Sequence, residues 1–344
     1  MPIEVSDDKV SDDALIGEED PHILVDSRRI CSPNMEARVP NIRQLEYLVA
    51  IAEELNFRRA AERTNTTQPT LSEQLKALEE RLGAQLVERG RSRVLLTPIG
   101  EQVVAIGRRI LRDSNEIKQL TASGGKELAG VLRLGLPSTI GPYLLPLVLP
   151  SVHKAFPDLK LYIREEMPKS LPRALEEGSL DLVMTLLPVN DADLVCRSLF
   201  REPLYLVVGA DHPLASRPSV QRADLAGQDV LALGRGHQLH DVIVVLCEEF
   251  GARLRYEFEG TSLDTLREMV VMGLGLTFLP GLYVRREIIA DPNLKVLELH
   301  GRSLYRHVGL VWRKSSALQA SYEQLAQFFT KAIEAELPDL LKVA

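Results

Sequence analysis

One stretch constrains the first part of this chain more than any other: TQPTLSEQLKALEERLG, residues 67–83. Leu71, Leu75, Leu78 and Leu82 recur at i, i+4, i+7 and i+11, which predicts a helix with a single apolar face. Pro69 fits its first turn, where a missing N–H costs little. Gly83 suits its end. Upstream, Leu45, Leu48, Val49 and Ala52 give a first helix, and FRRAAERT, with small Ala60 and Ala61, a short second one. Three such helices with the brief polar break NTT before the third describe a helix-turn-helix. Periodicity alone fits a generic helical bundle equally well. The polar start of the third helix separates the two readings, because Thr67, Gln68, Thr70 and Ser72 project away from the leucine stripe. In a recognition helix, such N-terminal residues reach base edges in the major groove. Gln68 suits adenine, and Thr70 suits a base or a thymine methyl. QLVERGRSRVLLTPIG then reads as a two-stranded wing with Arg89, Arg91 and Arg93 near its tip, placed for phosphate or the minor groove. Its plainer reading is a solvated hairpin tip.

A net charge of −7 over 344 residues argues only weakly against DNA, because affinity follows where positive charge sits. Much of the acidic excess lies in residues 1–40, from Glu4 to Glu36, which show little apolar periodicity and are expected to be a disordered extension. Met35 is an alternative start. No apolar run is long enough to cross a membrane, no secretory signal opens the chain, and three cysteines make no disulfide framework. A cytoplasmic protein is expected.

The winged unit should occupy residues 41–98 and a dimerising linker helix residues 99–125. Ile99, Val103, Ile106, Ile110, Ile117 and Leu120 alternate by four and three, with Asp113 in the one vacant position. That heptad seam calls for a second copy of the chain. The alternative is packing on its own domain. SGGKELAG, 123–130, reads as a flexible joint.

From residue 126 to 335 strands and helices alternate at βαβ spacing, which predicts a mostly parallel sheet. Two α/β lobes are expected, about 126–202 with 305–335, and about 203–304. They resemble periplasmic solute-binding proteins. In such folds ligands sit beyond strand C-termini, at helix N-termini. Ser138 and Thr139, then Thr261 and Ser262, follow strands and open helices, so their hydroxyls and first-turn N–H groups suit an anion or a peroxide oxygen. The plainer reading makes them helix N-caps.

This order of parts, and the segment TTQPTLSEQLKALEERLGAQLVERGRSRVLLTPIG in particular, resembles the LysR-type transcriptional regulators, from about Asn41 to about residue 335. GLPSTIGPYLLP (135–146), TSLDTLREMVVMGLGLTFLP (261–280) and SYEQLAQFF (321–329) resemble its peroxide-responsive OxyR branch. The resemblance implies promoter DNA as partner, a homodimer or homotetramer, contact with RNA polymerase, and control of oxidative-stress genes. One departure is Glu73, where the family often has glycine or arginine.

A second departure concerns the trigger. The resemblance implies a peroxide-reactive cysteine just after Gly-His and a resolving cysteine nine positions later. Here Gln238 holds the reactive position and Cys247 the resolving one. A carboxamide is no thiolate, so the two-cysteine switch is not expected to operate. His237 and Asp241 are retained, while His240 stands where the family often has arginine. Cys247, in the apolar run VIVVLCEEF, reads as a buried inert thiol, and Cys196 follows an acidic loop. The open alternatives are a small polar or anionic effector between the lobes, a redox response through other thiols, or a constitutive repressor. No Cys-x-x-Cys, HExxH, Gly-x-Ser-x-Gly or GxGxxG motif is present, so no enzyme, metal or cofactor is expected.

Overall fold

The computed structural model describes residues 39–89, 94–122, 128–217, 219–260, 262–301, 303–338 and 342–343. The expectations for the acidic extension, for Arg91, Arg93 and Thr261, and for most of the 123–130 joint lie outside these residues.

Helix α1 (Ile42–Glu54) starts in a capping box in which Asn41 Oδ1 accepts from Gln44 N at 2.8 Å and Gln44 Oε1 from Asn41 N at 3.3 Å. Helix α2 (Phe57–Arg63) is capped by Asn56, and α3 (Gln68–Leu82) by Thr67. Gly83 ends α3 at φ 69°, a conformation glycine adopts without strain. Leu48, Ile51, Ala60, Leu71, Leu75 and Leu78 make the buried centre of this unit. Strands β1 (Val87–Arg89) and β2 (Val94–Leu96) pair antiparallel as the wing. Glu79, on the back of α3, accepts the backbone N–H groups of Leu86 (2.8 Å) and Val87 (3.1 Å), which fixes the wing to the helix. Helix α4 (Pro98–Ala122) follows, and a Cβ on its Gly100 would lie 2.0 Å from the Leu86 carbonyl oxygen. Only glycine lets α4 come so close to the wing.

The C-terminal half begins with β3 (Gly130–Leu136), α5 (Gly141–Ala155), β4 (Leu159–Glu165), α6 (Leu171–Glu176) and β5 (Leu182–Leu186). Strands β4 and β5 flank β3 in parallel. Then comes β6 (Leu194–Gly209), 16 residues long, followed by β7 (Asp229–Leu233), α7 (Gln238–Phe250), β8 (Arg253–Gly260), α8 (Leu263–Val271) and β9 (Thr277–Pro280). Strands β10 (Leu294–Leu297) and β11 (Leu304–Arg313), helix α9 (Gln319–Glu336) and a short β12 (Lys342–Val343) complete the chain.

The main sheet is mixed, not mostly parallel. Strands β9, β10, β11 and β12 all pair antiparallel with β6. The βαβ rhythm is real for β3–β5 and for the separate parallel pair β7–β8. It says nothing of β6, which runs through the whole domain and serves both halves. Two cores form on either side of that crossing. One gathers Leu134, Leu144, Met184, Phe200, Trp312 and Phe329, and the other Leu206, Leu231, Ile243, Leu266 and Phe278. They are lobes I and II below.

Candidate functional site

The N-terminal end of α3 presents Thr67, Gln68, Pro69 and Thr70 to solvent, with Ser72 half-buried and Glu73 exposed beside them. Thr67 is the helix cap, its hydroxyl accepting from Thr70 N at 3.4 Å and lying 2.8 Å from the Thr70 hydroxyl. Gln68 and Glu73 are the long, exposed polar side chains beside this cap. Arg89 ends β1 at the wing.

Helix α4 ties this unit to lobe I. Arg108 pairs with Glu53 of α1 (3.4 Å) and with Glu177 of lobe I (3.1 Å). Glu116 is buried and accepts from Arg313 Nη2, the Ser316 hydroxyl and Ala317 N, each at 3.2 Å. Arg313 also donates to the carbonyls of Leu175 and Leu180. Along the other side of α4, Ile99, Ile106, Ile110, Ile117 and Leu120 are between 40% and 64% exposed in the single chain. An apolar row of this kind on a 25-residue helix is what a second copy would cover.

The junction between the lobes is built around the start of α7. His237 stands at its N-cap position but makes no side-chain cap bond. It is buried, its Nδ1 has no hydrogen-bond partner among the described residues, and burial together with nearby His240 lowers its pKa. His240 is buried as well, its Nδ1 2.7 Å from the Leu233 carbonyl. Gln238 reaches out of lobe II to lobe I. Its Oε1 accepts from the Thr185 hydroxyl (3.1 Å) and from Leu186 N (3.3 Å), and its Nε2 donates to Leu186 O (3.4 Å). At the adjacent Gly236, φ 113°, an added Cβ would touch Met167 of lobe I at 3.0 Å. The two lobes thus meet at His237–Gln238.

Asp241, one turn on, is exposed and joins no hydrogen bond or ion pair with His237. Cys247 lies three turns into α7 inside the lobe II core, where burial, reinforced by Glu248, pushes its thiol up to about 11. Cys196 is exposed on β6, and partial burial raises its pKa too, against the weak hydrogen bond it gives to Val189 O. Neither environment favours a thiolate.

The capping expectation for Ser138 and Thr139 is overturned. Helix α5 starts at Gly141, with Ile140 at the cap and no side-chain cap bond. A turn on the Pro137 carbonyl opens it instead. Thr139 is buried and serves Arg306, whose Nη1 donates to its hydroxyl (3.2 Å) and Nη2 to its carbonyl (2.8 Å). The reason is Arg306 itself, a buried cation that needs several acceptors. Its Nε donates to Glu202 Oε2 at 2.6 Å, and Glu202 Oε1 accepts from Leu282 N at 2.8 Å. Ser262 does cap its helix, accepting from Thr265 N at 3.2 Å. Sequence reasoning missed Thr185, Glu202 and Arg306. Thr185 is a lone polar residue in the apolar strand LVMTL, a signal that could have found it, whereas Glu202 and Arg306 stand beside Arg201 and His307 and carry no such mark.

Two family models match the chain. The bacterial regulatory helix-turn-helix model of the lysR family covers residues 42–101, and the LysR substrate binding domain covers residues 125–334. The DNA-binding transcriptional dual regulator OxyR of Escherichia coli (strain K12) is 41% identical over 304 residues, 88% of this chain and 99% of the relative. A full-length cysteine-to-aspartate variant of OxyR from Pseudomonas aeruginosa superposes with a TM-score of 0.69 at 36% identity, covering 85% of this chain and 98% of that one. A hydrogen-peroxide-bound cysteine-to-serine variant of OxyR from Corynebacterium glutamicum gives 0.59 at 33% identity, over 87% and 96%. With a winged helix-turn-helix, a long linker helix and a two-lobed α/β domain in this order, the chain belongs to the LysR family of DNA-binding transcriptional regulators and is OxyR-like within it.

Proposed function

We propose that this regulator binds promoter DNA as a homo-oligomer, through Gln68, Thr70 and Ser72 of α3 and the wing arginines, and that its trigger does not use a thiol at position 238. The observation that carries the second part is the Gln238 carboxamide, hydrogen-bonded across the cleft to Thr185 and Leu186. A sulfur at this point of the fold would sit between the lobes. The carboxamide instead holds the lobes together through neutral hydrogen bonds that no oxidant alters. A peroxide-bound structure exists for a relative, and control of peroxide-defence or related genes fits the kinship. The two-cysteine chemistry does not carry over, because Cys247 is a buried, protonated thiol with no sulfur at 238 to meet it.

A second reading has its own support. The unpartnered Nδ1 of buried His237 is a polar atom at the cleft that a small polar or anionic effector would satisfy.

The test is a DNase footprint on the upstream region of the protein's own gene and on peroxide-defence promoters, with reduced protein, with and without hydrogen peroxide. Protection indifferent to peroxide is expected. A peroxide-induced shift that dithiothreitol reverses would overturn the proposal and turn attention to Cys196 and Cys247. A candidate metabolite that raises the melting temperature of wild type but not of His237→Ala would establish the second reading.

A further inference from the structure

Between the DNA-binding unit, α4 and lobe I lies a cavity of about 300 Å³ that no step above uses. We propose that it binds a small polyanion bearing phosphoryl or carboxylate groups, and that the bound anion sets the angle between the DNA-binding unit and lobe I.

Five arginines line it, and they come from all three parts: Arg63 from α2, Arg108 and Arg112 from α4, Arg133 and Arg164 from lobe I. Two carboxylates, Glu53 and Glu177, line it with them, both engaged by Arg108, while Arg112 and Arg164 pair with Asp113 and Glu166, which are not part of the lining. Arg63 adds a second claim on Glu53. Converging guanidinium groups in a walled recess focus positive potential, and their planar forks match phosphate and carboxylate oxygens.

Two details point to a missing partner. Among the described residues Arg133 forms no ion pair and its guanidinium makes no hydrogen bond; its charge acts at longer range on the buried Asp181 carboxylate, which accepts from the Arg133 backbone N–H (2.8 Å). Arg108 Nε is buried without an acceptor among the described residues, although the rest of its guanidinium is paired. Unpaired N–H donors beside a recess are what an anion would satisfy. Register explains the clustering on the lobe I wall, because Arg133 of β3 lies opposite Tyr162 of β4 and Arg164 follows two residues later on the same face. Gly178 completes the wall. At φ 72° it packs on the stem of Arg112, where a Cβ would come within 2.7 Å. The volume lies at the low end for small-molecule sites, enough for a metabolite rather than a single ion.

The experiment uses the full-length protein at constant ionic strength, titrated with pyrophosphate and, separately, with citrate, following the melting temperature and then binding by calorimetry. Wild type should show a saturable rise. Arg133→Gln, which breaks no existing ion pair, should weaken binding at least tenfold. Asn115→Asp, which adds a negative charge to the same wall, should do the same, so either variant suffices if it melts like wild type without ligand. Tighter pyrophosphate binding identifies phosphoryl ligands, and tighter citrate binding carboxylates. No saturable rise with either anion, or binding as tight as wild type in both variants, overturns the proposal.

Discussion

Replacing Arg306 by methionine is the sharpest test of how the lobes are joined. Arg306 and Glu202 have side chains only 1% and 0% exposed, and they sit where β11 and β6 pass between the lobes. The variant keeps the bulk of the side chain but strips Glu202 of its counter-charge and Thr139 of two donors. Removing one partner of a buried pair costs about 3–5 kcal/mol. For a domain of this size that lowers the melting temperature by about 6–20 °C. Glu202→Gln combined with Arg306→Met removes both charges and keeps an acceptor for Leu282 N–H. It should recover most of the loss, leaving about 1 kcal/mol for the orphaned Thr139 carbonyl. Urea unfolding followed by the fluorescence of Trp312, the sole tryptophan, reads this directly, because Trp312 is buried on the same strand in lobe I. A single variant that loses less than about 1 kcal/mol would refute the reasoning, as would a double variant as unstable as the single one.

Four further outcomes are expected. Gly100→Ala forces a methyl against the Leu86 carbonyl and should destabilise the winged unit by about 1–3 kcal/mol, measured as lost promoter affinity and a lowered unfolding midpoint. At pH 7.5 iodoacetamide should label Cys196 and leave Cys247 untouched until the protein unfolds. Because the folded Cys247 pKa of about 11 lies above the ordinary value of 9.0, stability should be full below pH 9 and fall as pH rises from there towards 11, and Cys247→Ala should flatten that part of the profile. Ile106→Glu puts a charge on the exposed seam of α4 and should shift sedimentation towards the monomer, while an unchanged distribution would mean the seam is not the interface.

The winged unit was legible because its signals are local. A leucine stripe, a proline in the first turn and a glycine stop act within a few residues of themselves. The βαβ rhythm likewise gave β3–β5 and β7–β8, and the exposed seam of α4 followed from its heptads. What sequence reasoning lost was set by partners far along the chain. Ser138 and Thr139 have the right residue types for caps, but Arg306, 167 residues beyond Thr139, claims the threonine. The mixed sheet depends on β6 pairing with β9, β10, β11 and β12, which no short pattern announces. Gln238 was read as a substitution that removes a thiol. Its bonds to Thr185 and Leu186 needed the two lobes folded together.

The single-piece construction of β6 has a mechanical consequence. At about 3.3 Å per residue its 16 residues span roughly 50 Å, and β11 runs alongside with a bulge between Val308 and Gly309. The lobes are therefore joined by a stiff ribbon, not by a loose loop. Any rotation of lobe II must be stored as twist in that ribbon. The ties from the DNA-binding unit through Arg108, Arg112 and Glu116 all end in lobe I. Torque on lobe II thus reaches DNA by way of lobe I, along these two strands and across the Gln238 contacts, so the ribbon works as a torsion bar whose stiffness helps set how small a change between the lobes the promoter can feel.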